Sequence, residues 1–87
     1  MHADNVTANG EETLVDIELD GHWRKISIER NAIEHYLRLS PAEGAEMSAE
    51  QRCDFVRSNL AYVLAAVRKQ IEDHPDARHM FLASGDL

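Results

Sequence analysis

From Thr13 to Ile28 the chain alternates between two classes of side chain on either side of Asp20-Gly21. Alternation puts successive residues on opposite faces of a strand. Asp-Gly is a preferred pair for a two-residue type I′ turn, whose central positions both need positive φ. Such a loop sets the register. Leu19 should face His22, Ile17 Arg24, Val15 Ile26 and Thr13 Ile28, with Glu18 against Trp23, Asp16 against Lys25 and Leu14 against Ser27 on the other face. One face is then mostly apolar, and the other carries an opposite-charge pair.

After the hairpin the period lengthens. Ala32, Ile33, Tyr36 and Leu37 fall on one face of a helix from Glu29 to about Leu39, with Ser40-Pro41 and Gly44 marking its exit. Ser48 and Gln51 have the spacing of a capping box. Beyond them Phe55, Val56, Leu60, Val63, Leu64, Val67 and Ile71 make one stripe to about Asp73, with alanines 61, 65 and 66 supporting helix and Pro75 following its end. About 25 helical residues would span ~37 Å, long for so small a domain. Arg78 to Ser84 suits either a helix with Pro75 at its first position or a third strand with Met80 and Leu82 on one side and His79, Phe81 and Ala83 on the other; the strand is favoured because a hairpin alone is marginal. Residues 1–12 are polar and are expected to form a flexible tail, leaving 13–87 as a single domain. The expected fold is α+β in two layers, ordered ββααβ. Its core draws on Val15, Ile17, Ile26, Ile28, Ile33, Tyr36, Leu37 and the long-helix stripe.

The extended segment, Asp-Gly, a strand running into Ile-Ser-Ile-Glu-Arg-Asn-Ala-Ile-Glu, then Phe-Val-Arg-Ser-Asn and a closing Met-Phe-Leu-Ala-Ser-Gly-Asp-Leu resemble the short bacterial proteins grouped as domain of unknown function 1488. The resemblance covers roughly residues 13–87, with Ile33 where that family carries Leu. It implies a two-layer hairpin, two helices and a last strand, and no activity.

Charge narrows the function. A formal net charge of −7 opposes binding to nucleic acid or to an anionic membrane, where affinity comes from Lys and Arg. No apolar run approaches the ~20 residues a membrane helix needs, and the N-terminus lacks the basic start and apolar core of a secretory signal. The single cysteine, Cys53, cannot form an intramolecular disulfide and suits a reducing compartment. A bacterial, cytoplasmic protein is the expectation.

The chemistry-bearing residues form no constellation by spacing. His2, His22, His35, His74 and His79 do not match a zinc motif, and Cys53 has no cysteine partner. No metal or cofactor is expected. Cys53, near the start of the long helix, is better read as a small core residue than as a nucleophile. No phosphate loop, nucleophile elbow or triad is present, so no catalytic residue is assigned and an enzyme is the less favoured reading. Arg57, Arg68 and Lys69, with Arg52, would line one helix face as a basic strip, although Glu50, Asp54 and Glu72 neutralise much of it. Trp23 should lie with Leu14 and Lys25 on the sheet face away from the helices, where it either packs over Lys25 or under the N-terminal tail, as single surface apolar residues do, or anchors a partner. The leading expectation is therefore a small non-enzymatic interaction module, binding a protein partner or a second copy of itself. The alternatives are a ligand-binding protein or enzyme with a pocket near His35, Tyr36 and Cys53, and a weak nucleic-acid binder through the Arg57/Arg68 strip.

Overall fold

The computed structural model describes residues 2–87. Three strands come first: β1 (His2–Asn9), β2 (Glu12–Leu19) and β3 (His22–Ile28). Four helices follow, α1 (Arg30–Leu37), α2 (Pro41–Ala45), α3 (Ala49–Ser58) and α4 (Leu60–Asp73), and β4 (His79–Leu82) closes the fold. The sheet order is β1-β2-β3-β4; the first three strands are antiparallel, and β4 runs parallel to β3. Parallel neighbours need a long crossover, and the helices supply it. The fold is α+β, with one more strand and two more helices than the ββααβ expectation.

The central hairpin has the register read from its sequence at all seven pairs, from Thr13–Ile28 to Leu19–His22. Asp20 and Gly21 both have positive φ, 54° and 80°, as a type I′ turn requires. Thr13, Val15, Ile17 and Leu19 are buried, as are Arg24, Ile26 and Ile28 opposite them.

Residues 1–12 do not form the expected tail. Apart from Met1, which lies outside the described residues, they build edge strand β1, its turn at Gly10-Glu11 and the first residue of β2, Glu12. Gly10, at φ 63°, takes the first central position of the Gly10-Glu11 loop to β2. The sequence signal is weak because the few apolar residues, Ala3, Val6 and Ala8, stand among polar neighbours with Ala3 out of phase with the other two, and a strand at a sheet edge needs less apolar surface. Ala3 and Val6 pack against the core, beneath α3, which crosses β1 and β2. The register shifts between Asp4 and Thr7, where Asn5 adopts φ 55°, the mark of a bulge.

The predicted long helix is two helices. Asn59 leaves helical geometry at φ −124°, its side-chain Nδ2 donates to the Phe55 carbonyl at 2.8 Å, and its backbone N–H turns back to Val56 at 3.2 Å. An Asn side chain that bonds the backbone in this way competes with helix continuation. The apolar stripe runs through the break because Val56 and Val63 both reach zero exposure in the same core, while α3 lies over β1 and β2 and α4 over β4. Periodicity reports what faces the core and does not register the one-residue break at Asn59.

Ser40 begins α2 rather than simply ending α1. Its Oγ accepts the Glu43 N–H at 3.2 Å and its own N–H donates to Glu43 Oε1 at 3.0 Å; the Ser40 backbone N–H, followed by the Ser40 hydroxyl, holds the Glu43 carboxyl below the usual carboxylate range. The predicted Ser48–Gln51 capping box is present, with bonds of 3.0 and 2.8 Å. Gly44 is required by packing: a Cβ there would fall within the Glu34 carboxylate and its Cγ. Glu34 is itself buried between α1 and α2 and pairs with Arg30 at 3.1 Å.

Ile33, Val56, Val63, Leu64 and Val67 join the hairpin in the core as expected, together with Leu19, Ala32, Ala66, Met80 and Leu82. Phe55, Leu60 and Ile71 are only partly buried, and Leu37 is 41% exposed, because α1 ends there and Arg38 turns the chain at φ 57°.

Candidate interaction face

The core and the opposite face of the sheet are specified by the same alternation. On β2, Thr13, Val15, Ile17 and Leu19 point to the helices, so Glu12, Leu14, Asp16 and Glu18 point away and are partly exposed. On β3, Trp23, Lys25 and Ser27 share that outer face by register with Glu18, Asp16 and Leu14. Of the three residues expected there, Trp23 is 51% exposed, Lys25 pairs with Asp16 at 3.8 Å and Leu14 is half-buried. All three lie on one face, as the hairpin register required.

The outer strands enlarge this face. Parallel pairing sets Lys25 beside His79 and Ser27 beside Phe81. His79 stacks on Phe81 with ring centroids 4.4 Å apart, and its Nε2 shares a 2.6 Å hydrogen bond with the buried Ser27 Oγ. Phe81 remains 54% exposed. From β1, Asp4 pairs in register with Asp16. Asn5 at the bulge donates from Nδ2 to Asp16 Oδ2 at 3.1 Å, and its backbone N–H goes to Asp4 Oδ1 at 2.8 Å. A shallow hollow of about 490 Å³ is lined by Asp4, Asn5, Asp16, Trp23, Arg24 and Lys25. Sequence reasoning missed Asp4, Asn5 and Phe81 because their place depends on which strand lies beside which. The one signal for β1 was Gly10 after a weak alternation.

Arg24 stands on the apolar face and is 7% exposed. Its guanidinium donates from Nε to the Ala77 carbonyl and from a terminal nitrogen to that of Pro75, both at 3.1 Å. These bonds tie the loop after α4 to β3, directly before the first bond of the parallel pair, Lys25 N–H to the Arg78 carbonyl at 2.8 Å. Arg24 thus positions β4, and with it His79 and Phe81.

The basic strip is not assembled as the sequence suggested. Arg52 is buried, donating to the Met47 carbonyl at 2.7 Å and to that of Gly10 at 3.3 Å. Arg57 is bound to Asp54 at 2.9 Å and to the Val6 carbonyl at 3.3 Å. The break at Asn59 places Arg57 on α3, and Arg68 and Lys69 on α4, so the three do not follow one helical line.

At the position considered for a ligand pocket, Tyr36 packs edge-on against Phe55 and tilts against Tyr62, each with centroids 5.4 Å apart. Desolvation, followed by the neighbouring Tyr62 hydroxyl, raises the Tyr36 pKa. Cys53 is buried, in keeping with a core role. Among the described residues no group of three or more His, Cys, Asp or Glu is placed to hold a metal ion, and no helix is long and apolar enough to cross a membrane. No protein-family model matches the chain, and neither a curated protein nor a solved structure shows significant similarity to it.

Proposed function

We propose that this chain is a non-enzymatic protein-interaction module that engages a protein partner through the open face of its sheet. The observation that carries the reading is the one-sided architecture. The helices cover the Val15/Ile17/Ile26/Ile28 face, and the other face presents two large aromatics, Trp23 and Phe81, each about half exposed within a polar surround. Single exposed apolar residues are ordinary. Two on one regular face, one of them a Trp, match the anchor-and-rim composition of binding surfaces. The resemblance to domain of unknown function 1488 brings no activity to this reading.

Affinity capture from the native cells with wild type and Trp23→Ala tests it. Partners held by wild type and lost from the variant, which must keep the wild-type circular dichroism spectrum, support the open face. Partners that are retained by Trp23→Ala and lost on Tyr62→Ala would move the working surface to the helices. Self-association is read separately by light scattering at micromolar concentration, where a mass near 9.8 kDa removes it.

A further inference from the structure

We infer that the occupant of the open face is a basic segment of a partner protein, with an arginine or lysine side chain seated in the hollow beside Trp23; this deepens the open-face reading and rests on it. Charge selects the class. Among the side chains described on this face, the carboxylates Asp4, Glu12, Asp16 and Glu18 outnumber the basic groups, the Lys25 ammonium and the His79 imidazole. Two copies packed through this face would bring like charges together as water leaves, a juxtaposition that interfaces avoid. Phosphate backbones meet the same repulsion. A cationic partner meets attraction at the rim and apolar surface at the Trp23 and Phe81 positions.

The hollow adds geometry to charge. Asp4, Asn5 and Asp16 line it together with Trp23, Lys25 and Arg24, and the Arg24 guanidinium is already taken by the Ala77 and Pro75 carbonyls. A guanidinium or ammonium against an indole gains cation–π attraction, and the planar guanidinium also matches a carboxylate edge. Asp16 has room for such a contact: Asn5 occupies Oδ2 at 3.1 Å, while Lys25 stands 3.8 Å from Oδ1, at the outer limit of an ion pair. The sheet edges direct the occupant across the face. β1 is bulged at Asn5, β4 is only four residues long, and Gln70 Nε2 already donates to the Phe81 carbonyl at 3.0 Å. Bulges, short strands and covered carbonyls all discourage strand addition.

The probe is a capped peptide alternating arginine and valine, compared with its glutamate–valine counterpart and titrated into the isotope-labelled full chain by two-dimensional NMR. The expected result is shifts at Asp4, Asp16, Trp23 and Lys25, including the Trp23 indole N–H. They should weaken as salt rises and be absent with the acidic peptide. Asp4→Asn and Asp16→Asn keep side-chain shape, and each should weaken binding roughly threefold, about tenfold together. Equal binding of the acidic peptide, shifts confined to the helices, or full affinity in the double variant would overturn the inference. Failure of the parent reading looks different. If the basic peptide does not bind and cellular partners still depend on Trp23, the open face stands and the basic occupant falls; if those partners ignore Trp23, both fall.

Discussion

Gly44→Ala is the substitution for which local propensity and tertiary packing predict opposite signs. Gly44 lies in helix α2 and is not among the positive-φ glycines, so alanine should stabilise by about 0.8–1 kcal/mol on helix propensity alone. Its missing Cβ, however, is the space that the Glu34 side chain occupies. Cγ as well as the carboxylate falls within that space, so rotation of the distal group alone does not relieve the clash. Glu34 must leave its buried position, giving up its 3.1 Å pair with Arg30, or α1 and α2 must separate. Forcing an extra carbon into a closed contact costs about 1–3 kcal/mol. Net destabilisation of about 1 kcal/mol follows, a Tm drop of roughly 4–8 °C for a domain of this size. Urea unfolding of wild type, Gly44→Ala, Glu34→Ala and the double variant forms a double-mutant cycle. With Glu34 truncated the clash is gone, and Gly44→Ala should stabilise by ~0.5–1 kcal/mol. The reasoning is refuted if Gly44→Ala raises stability in the wild-type background, or if its effect keeps the same sign and size after Glu34→Ala.

Three further outcomes follow from the same contacts. Arg24→Met keeps the apolar stem and removes the charged donors to Ala77 and Pro75; a loss of about 2–3 kcal/mol is expected, with faster amide exchange at Met80 and Leu82, and a change below ~0.5 kcal/mol would show that β4 does not depend on this clamp. Tyr36 carries a pKa raised above its ordinary 10.0 by desolvation and by Tyr62, so the folded state holds this proton to higher pH than the unfolded chain; its contribution is complete below that ordinary value and is lost as pH climbs through the raised one. The fall in urea midpoint on moving from about pH 9 to about pH 11 should therefore be smaller in Tyr36→Phe, and an equal fall would exclude Tyr36 as its source. Cys53 is buried, so an aromatic disulfide reagent should label it only through opening of the native state, at a rate that rises with sub-denaturing urea; immediate labelling of the native protein would contradict the burial.

The central hairpin was legible in the amino-acid order because everything that specifies it is local. Asp20-Gly21 supplies the two positive φ values, and the alternation from Thr13 to Ile28, broken on the inner face by Arg24, leaves one register that buries Val15, Ile17, Ile26 and Ile28. The same alternation placed Trp23, Leu14 and Lys25 on the outer face. The start of α3 was equally local, since Ser48 and Gln51 satisfy each other's backbone across three residues.

Tertiary structure decided the rest, wherever an element depends on a distant neighbour. β1 is a strand because β2 offers it a ladder and α3 covers Ala3 and Val6; its own residues alternate too weakly to require it. α3 and α4 are two helices because Asn59 finds the Phe55 carbonyl, while the stripe of apolar residues continues over a single core. The outer face acquires its hollow and its second aromatic only when β1 pairs with one edge of the hairpin and β4, held by Arg24, pairs with the other. Period and turn chemistry are properties of neighbouring residues and determined the hairpin. The place of β4 comes from contacts between residues more than 50 positions apart, the hollow from Asp4 and Asn5 meeting Asp16 across the β1–β2 ladder, and only the folded chain brings those together.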